Sequence, residues 1–204
     1  EQGYRDGKQM AGAFTLLNSN DLLWSRLVRQ YLMAEPPKHT DLTAWNADTT
    51  RLPHRMHTEY LRKLYLNNDL ASGRYRYDGR ALALSDIRSP IFLVGTERDH
   101  VAPWKSVYMI HLYADTDITF CLTSGGHNVG IVKPPGTDGP PRHFRVATKA
   151  LAEHYVDPDQ WFARNEPRSG SWWPTWEGWV AERSGERVAP PGPHRDYAPL
   201  DSAP

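Results

Sequence analysis

Two apolar runs constrain this chain more than anything else in it. Ile91-Phe92-Leu93-Val94 is preceded by Pro90 and followed by Gly95, and Ile118 to Thr123 is closed by Ser124-Gly125-Gly126-His127. Neither run alternates with polar residues as a half-solvated strand would, so both read as strands covered on both faces. Between them, Pro103 stands where a helix can begin, with Trp104, Val107, Tyr108, Ile110 and His111 on its inner side. Strand, loop, helix, strand, loop is one βαβ unit, and an α/β fold is expected.

The flanking segments are read around that unit. Asn20 and Asp21 precede Leu23, Trp24, Leu27, Val28, Tyr31 and Leu32 at helical spacing, which predicts a capped helix from Asp21 to Leu32, ended by Pro36 and Pro37. Met56, Tyr60, Leu61, Leu64 and Tyr65 predict a second helix starting near Pro53, with a loop over 41–52 before it. Tyr75-Arg76-Tyr77 and Ala81 to Leu84 flank Asp78-Gly79, the signature of a tight hairpin. A helix is predicted over Ala147 to His154. Trp161, Trp172, Trp173, Trp176 and Trp179 then follow, five of the eight tryptophans, and read as core packing or as a contact surface for a hydrophobic polymer. Residues 186–204 are rich in proline and poor in aliphatic residues, and are expected to be a disordered tail.

Composition narrows the function. Lys and Arg total 24 against 24 Asp and Glu, a net charge of zero that argues against nucleic acid as a partner. No apolar run nears the roughly 20 residues of a membrane span, so no transmembrane segment and no signal peptide are expected in this stretch. One cysteine, Cys121, excludes an intrachain disulfide and a cysteine-based zinc site, and points to a reducing, cytoplasmic setting. His54 and His57 are three apart on a predicted helix, but no third ligand at suitable spacing accompanies them, and no metal site is expected. The chain opens on Glu1, and its first methionine is Met10, so a piece of a longer chain is expected.

The loops after the two strands carry the candidate chemistry. Parallel strands present their carboxyl ends on one edge, where active sites of open α/β sheets lie. Asp99 follows the first strand and His127 the second. A carboxylate and then a histidine at successive strand ends is the order of the nucleophile–acid–histidine triad of α/β-hydrolases. Gly125 and Gly126 would let the backbone turn ahead of His127. Asp99 could equally be a turn residue; Arg98 could pair with it, and His100 competes as a polar group in the same loop. The nucleophile is missing: no G-x-S-x-G or G-x-C-x-G occurs, and Cys121 lies inside the second strand, after Asp99 and so out of order.

At this level of detail the sequence resembles polyhydroxyalkanoate synthases. Gly95-Thr-Glu-Arg-Asp-His-Val-Ala-Pro-Trp104 is similar to their G-x-x-x-DH-x-x-PW motif, and Ser124-Gly-Gly-His-Asn-Val-Gly-Ile-Val132 is similar to their SGHxxGxx motif. Asn20-Asp-Leu-Leu-Trp24, Trp45-Asn-Ala-Asp48 with Thr50 and Pro53, and Gly170-Ser-Trp-Trp-Pro-x-Trp176 add three more matches in order. The last of these resembles the single-subunit type. The resemblance runs from Gly3 to about Gly185.

The resemblance implies the C-terminal portion of an α/β-hydrolase fold with part of a helical cap: 1–72 as cap, 73–185 as the end of the catalytic core, 186–204 as tail. It implies an acyltransferase that polymerises (R)-3-hydroxyacyl-CoA into polyester, releasing CoA, through a Cys–His–Asp triad and without a cofactor, since the CoA thioester is substrate. His127 would be the base and Asp99 its carboxylate, with the cysteine upstream of this stretch, which alone would be inactive. His100, Trp104, Trp45 and Asp48 would be supporting residues, with a plain structural hydrogen bond the alternative for His100 and a loop anchor that for Trp45 and Asp48; the bulk of Trp104, by its own chemistry, would help to exclude water. A homodimer, a cytoplasmic location and association with the polyester granule surface are further implications. An esterase or thioesterase of the same fold is the enzyme alternative; a truncated, non-catalytic paralogue that binds granules or parent subunits is the other.

Overall fold

A computed structural model describes residues 3–5, 23–36, 50–136 and 141–190, together with Gly7, Gly12, Leu16, Asp41, Ala44, Trp45 and Asp48. The chain divides into two compact units, Glu1–Leu84 and Ser85–Pro204.

In the first unit, strand β1 (Tyr4–Arg5) pairs antiparallel with β2 (Leu52–Pro53). The first predicted helix runs as an α-helical turn over Ser25–Leu27 and widens to a π-helix over Val28–Leu32; its proposed caps Asn20 and Asp21 lie outside the described residues. Leu23, Trp24, Leu27, Val28, Tyr31 and Leu32 are exposed. Asp41, Ala44 and Trp45, placed in a loop by the sequence reading, take helical backbone. The second helix covers His54–Tyr60 directly after Pro53, as expected, and continues as a π-helix over Leu61–Leu66. The hairpin is β3 (Tyr75–Tyr77) against β4 (Arg80–Leu82). Asp78 (φ 46) and Gly79 (φ 74) supply the two positive φ angles its two-residue turn demands.

The second unit is built on a mixed four-stranded sheet with helices, ordered β5 (Ile91–Thr96), β6 (Ile118–Thr123), β7 (His143–Lys149), β8 (Arg168–Ser169). β5 and β6 are parallel, Ile91 opposite Ile118 and Thr96 opposite Thr123, and the helix Trp104–Tyr108 with its 3-10 extension Met109–Leu112 lies between them in sequence. This is the βαβ unit read from the two apolar runs. Every residue of β6 is buried, whereas Ile91 to Val94 of β5 are only half-buried. The difference follows from position: β6 has a neighbour on each side, and among the described residues no strand pairs with the outer side of β5.

Register sorts the side chains into two packed layers. Leu93, Phe120, Leu122 and Ala147 share one face with Trp104, Val107, Tyr108, Val156 and Trp161. Cys121, Phe144, Phe92, Val94 and Val146 share the other with Ile131, Trp172 and Trp173. Ile118, Phe120 and Leu122 are 0% exposed, and full burial of such a side chain contributes about 1.5–3 kcal/mol.

The helix expected over Ala147 to His154 is not formed. Ala147, Thr148 and Lys149 complete β7, which pairs antiparallel with β6 from Thr123 opposite Phe144 to Ile118 opposite Lys149. Phe144, Val146 and Thr148 alternate toward one face, and Thr119 and Thr148 share a hydroxyl–hydroxyl hydrogen bond of 2.8 Å across the strands. Pairing with a buried neighbour outweighs the helix preference of Ala147 and Lys149, with Phe144, Val146 and Thr148 supplying the strand-favouring residues of β7.

Candidate active site

β5 and β6 deliver their loops to one edge, and the loops are tied together by backbone before any side chain is considered. The N–H of Glu97 donates to the Thr123 carbonyl (2.9 Å), and that of Arg98 to the Gly125 carbonyl (3.0 Å). Gly125 sits at φ 115, and a Cβ there would meet Arg142 Nη1 at 2.7 Å and Gly130 Cα at 3.0 Å. Gly130 is as tightly enclosed, with Thr96 Cγ2 2.6 Å from where its Cβ would be. Gly126, which the sequence reading paired with Gly125, has only ordinary space about it, the nearest atom being Arg98 O at 3.8 Å.

On that base Asp99 and His127 meet, with His127 Nδ1 2.9 Å from Asp99 Oδ2. The other carboxylate oxygen, Oδ1, accepts the N–H groups of Val101 (2.8 Å) and Ala102 (2.9 Å). Burial by itself pushes the Asp99 carboxyl up, but the Ala102 N–H, the His127 ring and the Val101 N–H together outweigh it and hold the group below its ordinary value. Asp99 is therefore ionised. An ionised carboxylate only accepts, so the Nδ1 proton of the neutral imidazole points at it and Nε2 keeps its lone pair. The Asp99 side chain is 8% exposed and that of His127 46%, which leaves the imidazole reachable and its anchor enclosed. Such a pair can take a proton at Nε2 and stabilise the resulting imidazolium.

The other expected residues have the following surroundings. His100 is exposed and has no side-chain hydrogen bond among the described residues. Trp104 packs into the aromatic layer of the second unit, its ring 6.3 Å from Phe120 and 6.0 Å from Phe162. Trp45 (65% exposed) and Asp48 belong to the first unit, where the Asp48 N–H donates to the Trp45 carbonyl (3.2 Å). Cys121 is wholly buried in β6, and burial pushes its thiol up to about 12, which removes it as a nucleophile. His54 and His57 lie on the helix of the first unit, and among the described residues no group of three or more His, Cys, Asp or Glu comes together to hold a metal ion. No helix among the described residues is long and apolar enough to cross a membrane.

The structure also brings together residues that the sequence did not connect. Two positions before Asp99, the Glu97 carboxylate accepts from Arg145 Nη1 (2.8 Å) and meets His143 Nε2 (3.1 Å), both on β7. The Arg145 guanidinium in turn lies 3.9 Å over the Phe162 ring. These contacts span 46 and 48 residues, and their only sequence signal was the closeness of Glu97 to Asp99.

Comparison with known proteins gives this edge a context. No family model matches the chain. The poly(3-hydroxyalkanoate) polymerase of Methylorubrum extorquens is 38% identical over 188 residues, covering 92% of this chain and 30% of that protein. The poly(3-hydroxyalkanoate) polymerase subunit PhaC of Rhizobium meliloti is 37% identical over 186 residues, 91% of this chain and 30% of its own length. The PhaC subunit of Cupriavidus necator is 33% identical over 201 residues, 97% of this chain and 33% of its length. The chain thus spans about a third of the length of the curated relatives it matches. Similarity this extensive, along nearly the whole chain and with several members, places it in the poly(3-hydroxyalkanoate) polymerase family as the counterpart of one part of those proteins.

Proposed function

We propose that this chain supplies the histidine and the carboxylate of a Cys–His–Asp acyltransferase that polymerises (R)-3-hydroxyacyl-CoA into polyester, the nucleophilic cysteine lying outside these 204 residues. The observation that carries the reading is the enclosed Asp99 carboxylate holding a reachable His127 whose Nε2 has no partner among the described residues. In this scheme His127 takes the proton of the cysteine thiol, and the thiolate attacks the thioester carbonyl. The C–S bond to CoA breaks, and the leaving thiolate takes the proton back from His127. The 3-hydroxyl of a second acyl group then gives its proton to His127 Nε2 as its oxygen attacks the acyl-enzyme, forming the ester and freeing the cysteine. No step calls for a cofactor.

The wider architecture follows the same reading. The chain is the C-terminal portion of an α/β-hydrolase fold with part of its cap. Residues 1–72 are that part of the cap, and the catalytic core begins at residue 73; the first compact unit runs to Leu84. The core runs to about residue 185, and 191–204 of the expected tail lie outside the described residues. His100, Trp104, Trp45 and Asp48 support the site; the complete protein is a cytoplasmic homodimer at the granule surface.

The test uses the complete protein that contains this chain, supplied with (R)-3-hydroxybutyryl-CoA. Released CoA is titrated with a thiol reagent and the acyl product is separated as polyester or free hydroxy acid. Polyester from the wild type, lost in Asp99→Asn and His127→Gln, is the expected result. Undiminished CoA release in both variants would falsify the assigned roles, and free hydroxy acid as the sole product would make the protein a thioesterase.

A further inference from the structure

The geometry points to Ser171, Trp172 and Trp173 as positioning residues for His127, acting through the loop that carries it; this rests on the reading of His127 as the base. β8 runs antiparallel to β7, with Ser169 opposite His143, and the Gly170 N–H donates to the Arg142 carbonyl at 2.8 Å. The chain therefore leaves the sheet on the edge that holds the His127 loop, and the next three residues close on that loop. Ser171 Oγ donates to the Lys133 carbonyl (2.7 Å) and accepts the Trp173 N–H (3.2 Å). The indole N–H groups of Trp172 (3.2 Å) and Trp173 (2.9 Å) both donate to the Ile131 carbonyl. The same carbonyl also accepts the Lys133 N–H (3.2 Å), so three donors converge on this one oxygen. The two indoles stand 6.4 Å apart at 76°, which lets their N–H groups converge from different directions.

Both ends of this clamp are anchored. Trp172 is 8% exposed, packs with Cys121 and Phe144 and stacks on Phe92 with ring centroids 6.3 Å apart, so it is fixed to the central strands. On the loop side, the N–H groups of Ile131 and Val132 both donate to the Asn128 carbonyl (3.1 and 2.9 Å), and that of Gly130 to the Gly126 carbonyl (3.0 Å). A turn closed this tightly relates Ile131 rigidly to His127. The imidazole itself has one side-chain partner among the described residues, Asp99, and is half exposed. Its alignment on Asp99 therefore depends on where the loop is held, and the indole donors hold it. The tryptophans act here through hydrogen-bond direction as well as through bulk.

The decisive experiment follows the His127 tautomer by NMR in the full 204-residue chain labelled with nitrogen-15 at histidine, with Asp99→Asn as the control that removes the acceptor. Trp172→Phe/Trp173→Phe keeps two aromatic rings and deletes both donors. The wild type is expected to show His127 protonated at Nδ1. In the double variant, at least half of the population is expected to shift to the Nε2–H form that free imidazole favours in water. In the complete protein the same variant is expected to lower kcat by about ten- to a hundred-fold with KM unchanged. An unshifted tautomer in a folded double variant overturns the clamp and leaves the Asp99–His127 reading standing. A wild type without the Nδ1 proton overturns the site reading itself, and the clamp with it. Should the double variant fail to fold, Trp173→Phe alone decides: a partial shift supports the clamp, and a wild-type tautomer rejects it.

Discussion

His127 Nδ1 lies 2.9 Å from Asp99 Oδ2 although 28 residues separate them in sequence. The pairing is a consequence of parallel register: Thr96 stands opposite Thr123, so the loops after β5 and β6 begin at the same height on the same edge. Asp99 is fixed further by two backbone donors on its other oxygen, and among the described residues His127 is left with one side-chain partner and one open nitrogen.

Asp99→Asn in the complete protein is expected to lower CoA release by roughly a hundred- to ten-thousand-fold. The amide can still occupy the space but offers no negative charge to the imidazolium, and its NH2 can turn the ring to the wrong tautomer. Thermal unfolding measured on the same sample separates this from loss of structure, and an active, folded variant would count against the pair.

The glycines of the His127 loop are expected to differ sharply. Gly125→Ala places a Cβ 2.7 Å from Arg142 Nη1 at φ 115, and Gly130→Ala places one 2.6 Å from Thr96 Cγ2. Each is expected to cost about 1–3 kcal/mol in urea unfolding. Gly126→Ala, with nothing nearer than 3.8 Å, is expected to fall within about 0.5 kcal/mol of the wild type. Equal effects at all three positions would contradict the loop geometry.

His111 makes stability depend on pH. It is 6% exposed, its Nδ1–H donates to the Tyr108 carbonyl (2.7 Å), and its ring lies 4.2 Å from that of Tyr108. Burial holds its pKa below the usual 6.5, Lys149 adds to this, and the Tyr108 carbonyl only partly opposes it. The unfolded chain then binds a proton that the folded chain refuses. Its contribution is complete above about pH 6.5 and is lost as pH falls through the lower folded value. The urea midpoint of the chain is expected to decline over that window, and His111→Phe to flatten the decline. A slope identical in the two proteins would assign the pH dependence to other groups.

Cys121 is expected to be unreactive. Under native conditions a thiol reagent at pH 8 should leave it unmodified, because the thiol is buried and its pKa is pushed up to about 12; in urea it should react fully. Cys121→Ala in the complete protein should keep its activity and lose on the order of 1 kcal/mol of stability. Rapid native labelling would place the residue in a different environment.

How much of this was legible in the chain depends on the range of each signal. Asp78-Gly79 determined its hairpin, because two positive φ angles are a local demand that few dipeptides meet. The unbroken runs Ile91 to Val94 and Ile118 to Thr123 determined the parallel pair, and thereby the edge on which Asp99 and His127 meet. The lone cysteine, by its place inside one of those runs, was already excluded as the nucleophile.

Tertiary structure decided the rest. Ala147 to His154 reads as helix on its own, yet its first three residues became strand because β6 presented an unpaired, buried side to them. Glu97 found His143 and Arg145, and Trp172 and Trp173 found Ile131, across 41 to 48 residues. A helical or strand period is written within a few residues and can be read there. A hydrogen bond between a side chain and a distant loop is fixed only when strand register and packing have brought the two to the same edge.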